Sequence, residues 1–268
     1  MLTIFKKTLY TNRIFVLVIS LITLLFILMY VGLYPSVKEQ ADQFSKLLES
    51  YPKSMLEIFG IENQLSFTVL ENFVTIELFS FLWPILVVVL GTSLGMKLFA
   101  GEIDKGTMEI LLALPLSRAR IFLGKYCAGI VILVIYTGTS IYGIPFIAWL
   151  FKIDFMLANY AYLFASSLLF ALAIYSLAIM FSTMFSESSK GIMLTVGIVL
   201  MMYVLNVLST LKASLENLQY LSFFHYYNAS AALSSKELPW ETILVFGLVI
   251  IIAGVLAGVI FQRRDIAL

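Results

Sequence analysis

Four stretches of this chain, 14–33, 78–96, 191–208 and 242–261, contain no charged residue. Each is about as long, as a helix, as the ~30 Å hydrocarbon core of a bilayer is thick. A soluble fold has no place for so many uncharged runs of that length. Only 12% of the residues are charged and 61% are hydrophobic, where soluble domains carry roughly a quarter charged residues. The runs therefore read as membrane spans. Inside lipid every backbone amide must be satisfied within its own segment, so the spans are helices.

The full set of expected spans is 14–33, 78–99, 121–150, 158–185, 191–208 and 240–261. No small-residue cleavage site closes the first run, which reads as a retained span. Residues 1–13 precede it as an interfacial amphipathic helix, with Leu2, Phe5 and Leu9 on one side and Lys6, Lys7 and Arg13 elsewhere. Tyr34 and Pro35 are expected to end the first span, and Pro84 to kink the second. Gly91 and Gly95, and again Gly254 and Gly258, are small-xxx-small pairs that allow helices to approach closely. The expected fold is an all-α polytopic membrane protein in a single transmembrane domain.

Two polar intervals, 34–77 and 209–239, read as outer loops. The first carries short amphipathic patterns that suggest a surface hairpin. The second is aromatic around 221–233, which reads as a re-entrant or surface helix, with the single histidine, His225, as an interfacial ring. Six spans put both termini on one side. That side collects Lys6, Lys7, Arg13, Lys97, Lys105, Arg118, Arg120, Lys125, Lys190, Arg263 and Arg264 of the 17 Lys and Arg. The positive-inside rule makes it the cytoplasmic side, and the expected location is a bacterial plasma membrane.

The chemistry that is missing narrows the function. The four uncharged runs lack the mid-depth ionisable groups that proton- or ion-coupled carriers use. There is no HExxH, GxSxG or Ser-His-Asp set, and no GxxxxGK[ST] for nucleotide. One cysteine, Cys127, excludes an internal disulfide and a cysteine-built metal site, and a net charge of +1 gives no case for nucleic acid. A secondary carrier, a non-transporting scaffold or sensor subunit, and an intramembrane enzyme are thereby disfavoured against a transporter driven by a separate energy source.

The stretch 101–125, GEIDKGTMEILLALPLSRARIFLGK, is the polar exception between two spans. The Thr107 hydroxyl is positioned to cap a short helix over 108–114, which Pro115 stops. Two turns are too short to be stable alone in water. Ile110, Leu111 and Leu114 are placed on one face that calls for an apolar partner surface, and Ser117 to cap the next helix. The stretch reads as a docking plug.

That string resembles the cytoplasmic coupling segment of type-2 ABC transporter permeases, through Glu102, Gly106, Thr107, Glu109, Leu111, Leu112, Pro115, Ser117, Arg118, Gly124 and Lys125. FQRRDI at 261–266 resembles the family's ending, and the six-span layout agrees. The resemblance implies a permease subunit, itself no enzyme and holding no cofactor. A second permease, the same chain or a different one, would complete the pathway, and cytoplasmic ABC ATPase subunits would bind ATP and magnesium. Within 101–118, Ile110, Leu111 and Leu114 would fill an ATPase cleft while Glu102, Glu109 and Arg118 set the register. ATP binding would rock the spans to export an amphipathic, lipid-like or peptide substrate. Thr92, Tyr136, Thr139, Ser140, Ser166 and Asn206 are the weakly polar candidates for lining its path, and membrane lipids are the surrounding partners.

Overall fold

A computed structural model of the chain describes residues 1–40 and 69–264; the side chains of residues 213, 234 and 235 are left undescribed. The surface hairpin expected within 34–77 falls, over 41–68, outside the described residues. The chain is an all-α polytopic membrane protein. Five helices are long and apolar enough to cross a membrane, and a bent helix pair makes a sixth.

The first is α1, Leu2–Glu39, a single helix of 38 residues and thus about 57 Å long. It runs unbroken through the expected boundary at 13/14 and through Pro35. A proline so near a helix end costs one intrahelical bond, and only four residues of helix lie beyond it. The buried residues of α1, Ile4, Thr8, Asn12, Val16, Ile19, Thr23, Ile27, Val31 and Tyr34, form one stripe at steps of three and four. This stripe carries the helix along α6, Arg118–Leu150, with Thr23 Oγ1 and Tyr136 OH 3.1 Å apart at mid-length.

The second span is broken. α2, Leu70–Val74, leads through a π turn at Thr75–Phe79 to α3, Leu82–Leu98, with a 48° bend between the two limbs. The break lies at Ser80 and Phe81, ahead of Pro84. Pro84 has no N–H to give the carbonyl four residues earlier, so the preceding turn loses its bond and swings away. The Ser80 hydroxyl donates instead to the Thr75 carbonyl, at 2.9 Å.

Beyond α3 come two short helices, α4 at Ala100–Asp104 and α5 at Thr107–Leu112, then α6. Pro145 lies inside α6 and does not end it. α7, Leu157–Met184, is the hub of the bundle and packs against α3, α6 and the last span, α10, at Trp240–Arg263. The glycine pairs make these contacts possible. A methyl on Gly95 would come within 2.7 Å of Ala178 in α7, and one on Gly258 within 3.2 Å of Phe122 in α6. α8, Ser188–Leu211, and α10 are peripheral and turn residues such as Met193, Met201, Ile251 and Val255 outward.

The aromatic interval is drawn in, not spread on a surface. A 3₁₀ segment at Ala213–Leu221, α9 at Phe223–Tyr226 and a π turn at Ala231–Ser235 carry Phe223, Tyr227, Ala232 and Leu233 into the core. Tyr227 stacks on Trp83 and packs on Phe170, with ring centroids 5.8 and 4.8 Å away. His225 sits edge-on to Tyr220 and Tyr226, and burial among these rings lowers its pKa from the ordinary histidine value.

Candidate functional site

Within the loop between α3 and α6, α5 begins after a left-handed residue. Gly106 has φ of +67° and precedes the first residue of α5, a conformation that glycine adopts at no steric cost. Thr107 is therefore inside the helix, not its cap. Its hydroxyl donates back to the Glu102 carbonyl at 3.2 Å, which pins α5 to α4. The helix stops at Leu112, two residues short of the expected end, and Leu114 and Pro115 lie in the exposed turn that follows. Ser117 does cap α6: its hydroxyl accepts from the Arg120 amide at 3.4 Å.

The apolar residues of this loop divide differently from the expected grouping. Met108 and Leu111, at i and i+3, turn into the protein's own core with 1% and 7% of their surface exposed. Ile110 and Leu114, at i and i+4, point outward with 69% and 43% exposed. Neighbours in a helix are about 100° apart, so Leu111 cannot share the outward side with Ile110 once Met108 is anchored. The free face is Ile110 with Leu114 and Ala113, bordered by the exposed Glu109; Leu112 is half-buried.

The loop is mounted on the bundle by charge. The Lys125 side chain is buried in α6, and its ammonium donates to the Glu102 carboxylate and, at 2.6 Å, to the Leu98 carbonyl. The ammonium lies 5.3 Å from the centre of the Phe99 ring. One Asp104 oxygen accepts from the backbone amide and the hydroxyl of Ser188, at 2.8 and 2.6 Å, and so caps α8. These two bonds hold the Asp104 carboxyl below the ordinary carboxylate range. Arg118 donates to the carbonyls of Arg264 and Gln262, at 2.6 and 3.4 Å. Arg264 in turn donates to the Thr183 carbonyl and the Ser186 hydroxyl. Of the three charges assigned to a partner's register, Glu102 and Arg118 thus bond within the chain, and only Glu109 has no bond among the described residues. Sequence reasoning missed Asp104, Ser188 and Arg264 as parts of this mount. Lys125, the last charge before an uncharged run that reaches the end of α6, was the available signal for the pair, because a buried ammonium needs a counter-charge.

The residues expected along a substrate path lie mostly between the helices of one chain. Tyr136 bonds across to Thr23 on α1, and the Trp83 indole donates to Ser140 at 3.0 Å. Thr92 and Ser166 are buried, the Thr92 hydroxyl without a hydrogen bond. Thr139, whose hydroxyl returns to the Ile135 carbonyl, and Asn206 are half-buried. The structure brings Tyr136 and Ser140 into interhelical bonds and leaves Thr139 and Asn206 nearer the surface.

A family model described as ABC-2 family transporter protein matches residues 3–266. No curated protein matches the chain.

Proposed function

The chain belongs to the ABC-2 transporter family, as the membrane-spanning permease subunit of an ABC transporter, and from that premise we propose that it exports an amphipathic substrate with energy from a separate ATPase that docks on α5. The observation that carries this reading is the exposed Ile110–Leu114 face on a helix whose other side is held in the protein's own core. An apolar pair so exposed, Ile110 on the six-residue helix and Leu114 in the turn after it, is a surface waiting for a socket, and the anchoring of Met108 and Leu111 makes the helix stiff enough to be pushed. Glu109, beside it, supplies a charge for register.

In this reading 101–118 and both termini face the cytoplasm, where ATP and magnesium are bound by the partner. The pathway is shared with a second permease, a copy of this chain or a different one. Its substrate, lipid-like or peptide, meets apolar walls with few polar groups, as expected for an amphipathic cargo. Thr139 and Asn206 are the lining candidates that their partial exposure supports. Transport by rocking requires that the cargo bind the two states with different affinity.

The test separates the two faces of α5. Ile110→Asp should abolish co-purification of the ATPase while leaving the thermal stability of the detergent-solubilised chain unchanged. Ile110→Ala should weaken it by about 10-fold, the loss of one central apolar anchor at ~1–2 kcal/mol. Leu111→Asp should unfold the loop end instead. Undiminished capture by the Ile110→Asp chain would remove the docking assignment.

A further inference from the structure

We infer that the Glu102–Lys125 pair and the Asp104–Ser188 cap are the two links by which a push on α5 reaches the third and fifth spans, with Gly106 as the pivot between helix and links. This rests on the docking reading above and adds the residues that carry motion away from the docked helix.

Both links leave from α4, five residues that Lys105 alone separates from the pivot. Glu102 reaches forward to Lys125, seven residues into α6. The ammonium is almost wholly buried, with its side chain 2% exposed, and its other contacts are the Leu98 carbonyl and the Phe99 ring at the end of α3. One buried cation therefore ties α4, the end of α3 and the start of α6 at a single point. Asp104 reaches to the first residue of α8 and holds both its amide and its hydroxyl. A third bond fixes the base of the same unit to the fourth span: the Ala100 amide donates to the Ser182 hydroxyl at 2.9 Å, and that hydroxyl donates to the Met96 carbonyl. α5 itself touches this unit through Thr107, which donates to the Glu102 carbonyl. The docked helix and the acid that grips Lys125 are thus joined through one residue.

Charged links suit this task better than apolar packing. A buried carboxylate–ammonium bond fixes a distance and a direction between two named points, whereas dispersion attraction is spread over many contacts without direction. The two links are also unlike in solvent: Lys125 is sealed from water, while Asp104 is exposed. The α6 link is accordingly the stiff one.

The experiment uses the full chain in complex with the ATPase that co-purifies with it, in nanodiscs and in a Cys127→Ser background. Single cysteines replace Val69, Ile153 or Trp240, at the opposite ends of three spans, and their reaction rates with an impermeant thiol reagent are measured with and without ATP plus vanadate. In the otherwise native chain, at least one rate changes with nucleotide. With Lys125→Met, the ATPase stays bound and hydrolyses ATP, but that rate stays at its nucleotide-free value. With Asp104→Ala, chosen because its exposed site tolerates replacement, the change is reduced. A Lys125→Met complex that binds its ATPase and keeps the full nucleotide-dependent change overturns the link. Loss of ATPase capture by Lys125→Met overturns it as well, because the pair would then serve docking. A native chain with no nucleotide-dependent rate at any of the three sites overturns the underlying coupling and this inference with it, whereas Ile110→Asp tests docking alone.

Discussion

The two ends of the bundle use the same device in opposite solvents. At the loop end, Asp104 lies exposed and accepts from the first amide of α8. At the far end, Glu71 of α2 is 3% exposed and accepts from the Met156 amide, at 2.7 Å, at the start of α7. Glu71 comes from the short first limb of the broken second span and Asp104 from the short helix that follows its other end, and each sits where the partial positive charge of a helix N-terminus favours an anion. Around Glu71 the setting is packed: Leu70, Phe73 and Val74 are buried beside it, the Phe73 ring packs on Tyr30 and Tyr34, and Asn159, in the first turn of α7, donates to the Leu233 carbonyl. Around Asp104 the contacts are ions, hydroxyls and carbonyls. Close-packed rings lose contact on any displacement, while exposed polar contacts exchange with water at small net cost. The far end is built to keep its shape and the loop end to move as a mounted unit.

The contrast breaks most visibly at the one place where the loop end is sealed. Glu102→Gln leaves the Lys125 ammonium buried without its counter-charge, and loss of one partner of such a pair costs ~3–5 kcal/mol. Lys125→Met leaves Glu102, whose side chain is 28% exposed and can be hydrated, so it should cost clearly less. Thermal unfolding of both variants in one detergent checks the order; equal losses would mean that the pair is not buried in the working protein.

The far-end cap comes next. Glu71→Ala should cost about 2 kcal/mol, the scale of a hydrogen bond to a charged acceptor whose loss strands a buried amide. Glu71→Gln, which retains an acceptor oxygen, should recover most of it. Asp104→Ala should cost about 1 kcal/mol, the usual size of an exposed cap. A larger loss at Asp104 than at Glu71 would invert the comparison.

The smallest effect is on pH. The Asp104 carboxyl is held below its ordinary value by the two Ser188 bonds. A depressed carboxyl stabilises the fold above the unfolded-state value, near 4, and loses that contribution as pH falls through its own lower value. The stability gap between the native chain and Asp104→Ala should therefore be constant from pH 7 to about pH 5 and close as the pH drops below about 4. A gap that persists at pH 2 would show that neutral Asp104 caps α8 equally well.

Much of the candidate site was legible in the residues and some of it was not, for one reason. The position of the loop, the stop near Pro115 and the cap at Ser117 are local properties of adjacent residues, and α5 and α6 form where those signals stand. The grouping of Ile110 with Leu111 and Leu114 failed because periodicity states which residues share a side, not which side meets the protein. Met108 decides that, through a contact with the core that no neighbouring residue announces. The intrachain bonds of Glu102 and Arg118 were not legible either: their partners, Lys125, Arg264 and Gln262, are 23, 146 and 144 residues away.

The sequence by itself determined that this chain is an all-α polytopic membrane protein and that a short loop helix stands near residues 108–114. Those follow from hydropathy, proline and glycine, which act within a few residues of themselves. Tertiary structure alone decided that α1 runs through Pro35 and that Tyr136 and Ser140 bond between helices. It also decided that Glu102 grips a buried lysine, leaving Ile110 and Leu114 outward. In an apolar bundle a polar group takes whichever partner the packing brings within reach, because leaving it unpaired costs more than any local preference supplies.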